Sequence, residues 1–436
     1  MSYNVKQFGA VGDGIALDHE AIQAAMDECS RAGGGTVEVP AGTYLCGTLH
    51  LRSNISLYLE MGATILGADN SSLFPEICKT PYGNLPGQIQ ALIWADEVEN
   101  VSITGQGTID GGGSSPLPPS VASGVKFRPA LAFYRDCKNV KILDITLQYS
   151  CFWTLHLMRC DEVMIRGVTI LANADRINTD GIDPDGCRNV IISDCNIKTG
   201  DDCIVIKSTE GDLCENITVT NCVLSSRHAA LKIGTEAIGP IRNITFNNCV
   251  IHNTDVALAL YMKDGSVYEN MVFSNMIIEA RSEFPILLDI TPRYYKEPTY
   301  GRIRNITFDN ITITSSGRCL IEGTPDHPIE NVRFRNLIWN VSGPYKTQNP
   351  IKPPGARRVD IDLDRTNYAI HPYQFIAAHV DGLLLRDIRI QNKQSDKLAD
   401  RGCLFTEHVH RLTVEHMDSS DVPPGMQPIL NRSSEY

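Results

Sequence analysis

The amino-acid sequence predicts an all-β fold: a single-domain, right-handed parallel β-helix with a short N-terminal capping helix. Three observations support this prediction. A short pattern of alternating apolar positions recurs along the 436 residues, its copies are spaced by about one coil, and each copy has the composition of a strand. The repeat makes residues 1–436 one domain, whereas an ordinary chain of this length would form about three.

The composition is that of an ordinary globular protein. Lys and Arg number 39 against 51 Asp and Glu, so the net charge is −12 and no basic excess is left to neutralise nucleic-acid phosphates. With 42% hydrophobic and 21% charged residues, the chain is neither disordered nor collagen-like. No apolar run approaches the roughly 20 residues of a membrane span. We therefore expect neither nucleic acid nor a membrane as a partner.

The first element is the N-terminal cap. The opening residues, MSYNVKQFGAVGDG, lack the regions of a signal peptide, so we expect a cytoplasmic protein; a secreted or periplasmic protein trimmed of its leader would begin in the same way. Residues 18–31 predict a helix, with Asp18 as its N-cap and glycines from Gly33 as its stop. This helix would cover the open end of the core.

The coils follow the cap. Each copy of the repeat is short, β-branched and bounded by Gly, Asn, Asp or Ser, which is typical of a strand. The copies begin at Asn54, Asn100, Asn139, Glu162, Asn189, Asn216, Asn243, Asn270, Asn305, Asn331, Gly382 and Arg411, and the step is 27 residues three times over between Asn189 and Asn270. Such strands bury their apolar faces only when the coils stack about 4.8 Å apart. A polar tail from about 423 to 436 ends the chain.

Two series of residues repeat in register. Cys195, Cys222 and Cys249 hold the same place in successive coils, and we favour an inward ladder of small apolar side chains over metal or redox chemistry. We likewise favour a stacked amide ladder over a binding site for the series Asn189, Asn216, Asn243 and Asn270.

Two acidic clusters lie one coil apart. They are residues 178–183 (NTDGID) and 199–202 (TGDD), and Asp180 precedes Asp202 by 22 residues. His228 lies 12 residues after its repeat asparagine, as Asp201 lies 12 after Asn189. A parallel β-helix would therefore align these side chains on one outer face. Three aspartates on one face suit glycoside hydrolysis, because one acid protonates the leaving oxygen while another carboxylate activates water. Alternatively, such residues at coil corners satisfy turn backbone, but their shared register favours catalysis.

Four motifs resemble those of glycoside hydrolase family 28, the polygalacturonases, in both order and spacing. They read NTDG from Asn178, GDD from Gly200, RHA from Arg227 followed by KIG, and YMK from Tyr261. Flanking stretches such as GQGTIDG and FWTLH also match, and the resemblance covers roughly Tyr3 to Asp418. It implies a pectin-lyase-like solenoid and an inverting hydrolase of pectin-derived poly- or oligosaccharides, with α-1,4-galacturonosidic bonds as the first expectation.

The resemblance also implies roles for single residues. Asp201 would be the general acid, Asp180 and Asp202 would hold the attacking water as general base, and His228 would tune the acid or contact substrate. Lys263 would pair with a sugar carboxylate. No metal and no cofactor is implied. The remaining substrate-binding candidates are Tyr261, Arg227, Asn178, Arg176 and Arg293.

The sequence departs from the family pattern at the third and fourth motifs. Arg227 and Ala229 replace two glycines, and Tyr261 replaces the arginine that binds the galacturonate carboxylate in the family. Arg227 would either restore that charge or be an exposed surface arginine, and Arg176 raises the same question. Rhamnogalacturonan hydrolases, which also depart here, form the second substrate class. Insertions at 280–301 and 341–358 favour exo action, although such loops also decorate solenoids without function.

Two other function classes share the fold. A polysaccharide lyase would eliminate instead of hydrolysing and would leave an unsaturated sugar, and a non-catalytic β-helix would bind without cleaving. Neither explains three aspartates and a histidine in register as well as a hydrolase does. We therefore expect a monomeric enzyme whose partner is an acidic plant-cell-wall oligosaccharide or polysaccharide.

Overall fold

The computed structural model describes residues 1–79, 89–113, 128–281, 284–293, 298–344, 368, 370–392, 401–418 and 421–432. The chain divides into two compact units, Met1–Arg227 and His228–Tyr436, here called unit 1 and unit 2. The predicted single domain therefore stays a prediction. The insertion at 341–358 from residue 345 onward, and the tail from residue 433, lie outside the described residues.

The predicted capping helix is present as α1, His19–Arg31, directly after Asp18. It buries Ile22, Ala25 and Met26, the apolar face predicted from the sequence. The Asp18 side chain makes no capping hydrogen bond; its carboxylate instead accepts the backbone N–H groups of Val11 at 2.6 Å and Gly12 at 3.0 Å. The described part of the chain also has short 3₁₀ helices at Val5–Phe8 and Ser71–Leu73. Among the described residues, no helix combines the length and apolar character needed to cross a bilayer.

Unit 1 is built from short parallel strands that stack in three rows. The described strands are β1 Ser2–Asn4, β2 Asp13–Leu17, β3 Gly35–Val39, β4 Gly42–Cys46, β5 Leu49–His50, β6 Ile55–Leu59, β7 Ala63–Gly67, β8 Ala91–Asp96, β9 Glu99–Gly105, β10 Thr108–Asp110, β11 Ala130–Arg135, β12 Lys138–Leu143, β13 Thr146–Gln148, β14 Leu155–Met158, β15 Asp161–Arg166, β16 Thr169–Leu171, β17 Ile182–Asp185, β18 Arg188–Ser193, β19 Asn196–Thr199, β20 Ile204–Ser208, β21 Cys214–Thr220 and β22 Val223–Ser226. From β3 to β19, each strand pairs in parallel with the strand three places later, as β11 does with β14 and β14 with β17.

Unit 2 continues with the same parallel pairing in longer strands. These are β23 Ala229–Ala237, β24 Ile241–Asn247, β25 Val250–Thr254, β26 Val256–Met262, β27 Val267–Ala280, β28 Ile286–Ile290, β29 Arg302–Ser315, β30 Cys319–Glu322, β31 Ile329–Val341, β32 Tyr373–Asn392, β33 Gly402–Asp418 and β34 Ile429–Arg432. In both units, the pairings confirm the predicted right-handed parallel β-helix fold class.

Strand alternation builds the core of each unit. In β6, Ile55, Leu57 and Leu59 are buried and the residues between them face outward, as the period of two requires. In unit 2, four phenylalanines stack with ring centroids 4.6–5.0 Å apart: Phe246, Phe273, Phe308 and Phe334. The cysteines at 195, 222 and 249 are buried with reduced thiols, which supports the inward ladder.

The repeat asparagines turn the coil corners. Asn100 has φ = 54°, in the left-handed region that asparagine tolerates better than most residues. Its side-chain amide donates to Asn54 Oδ1 at 2.9 Å and its own Oδ1 accepts from Asn139 Nδ2 at 2.8 Å. In the predicted series, the Asn216 amide donates to Asn189 and the Asn270 amide to Asn243, both at 3.2 Å, so the amide ladder is present within each unit.

Candidate active site

The row β14–β17–β20 places two aspartates on consecutive coils. Asp180 lies just before β17 and Asp202 just before β20. The carbonyl of Asp180 accepts the N–H of Thr154 at 2.8 Å, and the N–H of Gly181 donates to the carbonyl of Asp202 at 2.9 Å. This backbone ladder brings the two side chains side by side on consecutive coils, as the 22-residue spacing predicts.

Asp201 is held by backbone donors. Its Oδ2 accepts the N–H of Asn178 at 2.9 Å and its Oδ1 accepts the N–H of Asp202 at 3.1 Å. Asn178 has φ = 54°, which turns its N–H toward the next coil. The carbonyl of Asp201 accepts the hydroxyls of Thr199 at 2.6 Å and Ser226 at 2.5 Å. Asp201 is half-buried, so its carboxylate is oriented and still reaches the surface.

Asp180 is almost fully buried, with 3% of its surface exposed. Its Oδ1 accepts no hydrogen bond from the described residues. Burial raises the pKa of the Asp180 carboxyl well above its ordinary value, and the negative charges of Asp201 and Asp183 raise it further. Crowded carboxylates of this kind share a proton, because they cannot all ionise at once.

A buried lysine lies beside these carboxylates. Lys207, on β20, has 2% of its surface exposed. Its Nζ lies 3.9 Å from Asp180 Oδ2, 3.7 Å from Asp183 Oδ1 and 4.4 Å from the centre of the Trp153 ring. Lys207 is not among the site residues predicted from the sequence. The available signal was its position in β20, directly across from Asp185 of β17 one coil earlier.

A second network beside the aspartates was also missed. His156 Nε2 lies 3.1 Å from Asp185 Oδ2, and that carboxylate accepts the N–H of Thr209 at 2.7 Å and its hydroxyl at 2.6 Å. The His156 ring meets Trp153 edge-on at 4.8 Å. These contacts hold the outer face of β14, β17 and β20 rigid next to Asp180.

Arg128 holds the Asn178 turn in place. Its guanidinium donates to the carbonyls of Cys151, at 3.0 Å, and Ile177, and to Asn178 Oδ1 at 3.2 Å. Burial lowers the pKa of Arg128, and the nearby Arg176 adds to this effect. Arg176 is itself buried, with 6% of its surface exposed, and its carbonyl accepts the Thr179 hydroxyl at 2.9 Å. Both arginines thus support the NTDG turn, and a contact of Arg176 with substrate stays a prediction.

In unit 2, the predicted cations have carboxylate partners. Lys263 Nζ donates to the buried Asp289 at 2.7 Å. Arg293 makes two hydrogen bonds to Asp264, at 2.6 and 2.8 Å. Tyr261 is 3% exposed and packs in an apolar cluster. The predicted pairing of Lys263 with a sugar carboxylate stays a prediction, as does substrate binding by Tyr261 and Arg293.

The unit boundary separates the remaining candidates. Arg227 is exposed as the last residue of unit 1, and its N–H donates to the carbonyl of Thr199 at 3.3 Å. His228 is exposed as the first residue of unit 2, and its carbonyl accepts the N–H of Val256 at 2.8 Å. The predicted alignment of the His228 side chain with the aspartates stays a prediction, as does substrate binding by Arg227.

Comparison with known proteins agrees with this geometry. The family model described as "Glycosyl hydrolases family 28" matches residues 29–353. A "Probable polygalacturonase" of Vitis vinifera is 37% identical over 210 residues, which is 46% of this chain and 43% of the relative. An "Endo-polygalacturonase" of Pectobacterium carotovorum is 31% identical over 198 residues, 41% of this chain and 48% of the relative. The chain therefore aligns with less than half the length of these curated relatives.

A solved structure matches more of the chain. The exopolygalacturonase of Thermotoga maritima is 27% identical with a TM-score of 0.68, and the match covers 78% of this chain and 87% of that one. The similarity includes relatives named for exo and for endo action.

Proposed function

The chain belongs to family 28 of the glycosyl hydrolases, and from this premise we propose that it is an inverting hydrolase of pectin-derived poly- or oligosaccharides that cleaves α-1,4-galacturonosidic bonds. The proposal rests on one observation: Asp180 and Asp202 stand on consecutive coils with Asp201 fixed beside them by the Asn178 N–H. Acidic plant-cell-wall sugars are the corresponding substrate class.

The three carboxyl groups divide the reaction between them. Asp201 donates its proton to the glycosidic oxygen as the bond from that oxygen to the anomeric carbon breaks. Asp180 and Asp202 hold a water on the opposite face of the sugar and take its proton as it attacks, so the configuration inverts. Acid and base must stand about 6.5–9.5 Å apart for a water to fit between them, a separation that carboxylates on adjacent coils can provide. The raised pKa of Asp180 supports a cluster that retains one proton at a pH where an isolated aspartate has lost its own.

Exo action is the second part of the proposal. It is supported by the similarity to an exopolygalacturonase. The expected insertion at 280–301 is only partly a loop, because Ile286–Ile290 form β28, which pairs with β26 and β30 as part of a coil. Rhamnogalacturonan hydrolysis is the second candidate function. The observation that favours it is the ion pair of Lys263 with Asp289, because a cation paired within the protein has less charge to offer a galacturonate carboxylate.

A product profile tests the proposal. The wild type and Asp201→Asn are incubated with homogalacturonan, oligogalacturonides and rhamnogalacturonan oligosaccharides, and the products are separated by anion exchange with ultraviolet detection. We expect saturated galacturonic acid from the first two substrates and a loss of activity of roughly 10²–10⁴-fold in Asp201→Asn. Asp194→Asn is the matched control, because Asp194 is an exposed corner residue whose Oδ1 accepts from Asn221, and an amide oxygen accepts equally well.

The other outcomes separate the alternatives. Unsaturated products that absorb in the ultraviolet, or full activity in Asp201→Asn, would contradict hydrolysis by this cluster. If saturated products formed from rhamnogalacturonan alone, rhamnogalacturonan would replace α-1,4-linked galacturonan as the proposed substrate. If galacturonic acid oligomers formed without monomer early in the reaction, exo action would be contradicted, while the proposed hydrolysis and its substrate would stand.

A further inference from the structure

We propose that Lys207 is a positioning residue of the hydrolytic reaction, a buried cation that keeps Asp180 ionised as a base. The Asp183 carboxylate has the opposite effect, because its negative charge favours the protonated form of Asp180. This inference rests on the proposed function above and adds two residues to it. Neither belongs to the motif positions given catalytic or binding roles above.

Lys207 lies close to Asp180 and is buried away from bulk solvent. Lys207 is 2% exposed, and Asp183 is fully buried. The Nζ lies 3.9 Å from Asp180 and 3.7 Å from Asp183. At such distances a buried cation acts strongly on both carboxylates, because water does not screen the charges.

Trp153 orients the lysine. The Nζ lies 4.4 Å from the centre of its ring, so the ammonium faces the negative π surface on one side and the carboxylates on the other. Trp153 is 2% exposed and also meets His156 edge-on, which fixes the ring. The ring contact and the carboxylates together hold the ammonium beside Asp180.

The charge balance around Asp180 explains why a cation is needed. Burial and three neighbouring carboxylates favour its protonated form, and Lys207 opposes them. Among the described residues of unit 1, the charged groups that act on Asp180 include Asp183, Asp201, Asp202, Lys207 and Arg128. Arg128 donates to Asn178 and two backbone carbonyls, and Arg176 acts on Arg128. Because a base that holds water must be unprotonated, Lys207 extends the active pH range toward acid.

Two substitutions with opposite expected effects test this role. Lys207→Met removes the cation and keeps the length of the side chain, while Asp183→Asn removes the opposing anion and keeps the shape. The pH dependence of kcat/KM on a saturated oligogalacturonide is measured for both. An opposite charge within about 4–6 Å moves a carboxyl pKa by roughly 1–3 units, so we expect the acidic limb to rise by about one pH unit or more in Lys207→Met and to fall in Asp183→Asn. Lys141→Met, at an exposed position of β12, should leave the limb unchanged.

A second readout does not depend on activity. The Asp180 carboxyl carbon is followed by ¹³C NMR across the same pH range, and it is assigned by the signal that Asp180→Asn removes. We expect its titration midpoint to rise in Lys207→Met and to fall in Asp183→Asn, as the acidic limb does.

The outcomes separate the two proposals. If the wild type cleaves nothing but the midpoints move as expected, the proposed function is overturned and the charge balance is supported. Folded variants whose midpoints and limbs stay at wild-type values, even with lower activity at every pH, would show a merely structural lysine and overturn the inference. If Lys207→Met does not fold, Lys207→Gln takes its place as the neutral variant, because Asp183→Asn reports on the opposing anion alone.

Discussion

Asp180 is a buried carboxyl group surrounded by other carboxylates. Its pKa is raised by burial first and by Asp201 and Asp183 next. A carboxyl with a higher pKa in the folded state binds its proton more tightly there than in the unfolded chain. Its stabilising contribution is therefore complete below the unfolded pKa of about 3.9 and is lost as pH rises through the folded value. At neutral pH the ionised base opposes folding, because it is buried among like charges.

This argument predicts that Asp180→Asn is inactive and more stable than the wild type near neutral pH. The amide cannot ionise, so the variant avoids the burial of a negative charge among like charges; each pKa unit between the folded and unfolded states corresponds to about 1.4 kcal/mol. Thermal melting between acid and neutral pH measures the effect, and the gain should shrink as pH falls, because protonation then removes the same charge from the wild type. Asp194→Asn, at an exposed corner, should melt like the wild type at every pH. A lower melting temperature for Asp180→Asn at neutral pH would contradict the argument.

The corner asparagine is the smallest element that holds one coil to the next. Asn100 combines a left-handed backbone with two amide hydrogen bonds, one to each neighbouring coil. The backbone conformation and the ladder therefore require the same residue, and this double requirement explains why asparagine recurs at the start of so many copies.

Two substitutions at this corner separate the ladder from the backbone. Asn100→Gly loses both hydrogen bonds and keeps an unstrained positive φ, so we expect it to lower the free energy of unfolding by about 1–2 kcal/mol. Asn100→Ala loses the same bonds and adds a left-handed alanine, for roughly 1 kcal/mol more. Urea denaturation measures both values. Equal losses for the two variants would mean that the backbone relaxes at this corner and that the ladder alone carries the stability.

The coil spacing explains how much of the fold and site could be predicted from the sequence. The step is 27 residues between the repeat asparagines and 22 residues between Asp180 and Asp202, and this register alone brings the two aspartates onto consecutive coils. The role of Lys207 could not be predicted, because it depends on which ring and which carboxylates pack around one ammonium. The partner of Lys263 could have been predicted from the sequence, because Asp289 follows it by 26 residues, about one coil. A search for opposite charges one coil apart would have found it.

At the scale of the whole molecule, the charge is strongly negative. The chain carries −12 at neutral pH, and several of its buried cations are already paired with carboxylates, as in Lys263 with Asp289 and Arg293 with Asp264. The proposed substrate is itself a polyanion. Protein and substrate therefore repel each other at long range, while recognition depends on short-range contacts.

This repulsion predicts that salt increases kcat/KM on oligogalacturonides. The screening length falls from about 30 Å at 0.01 M to about 10 Å at 0.1 M ionic strength, so added salt removes most of the long-range repulsion and leaves close contacts nearly intact. We expect kcat/KM to rise severalfold over this range, with kcat nearly constant because the effect acts on encounter and binding. A methyl-esterified oligomer of the same length is the control, since it has lost the charges and should show little dependence. If instead kcat/KM fell with salt on the charged substrate, local attraction would outweigh the net charge, and the exposed Arg227 would be the first residue to substitute, because its guanidinium is available to an anionic sugar.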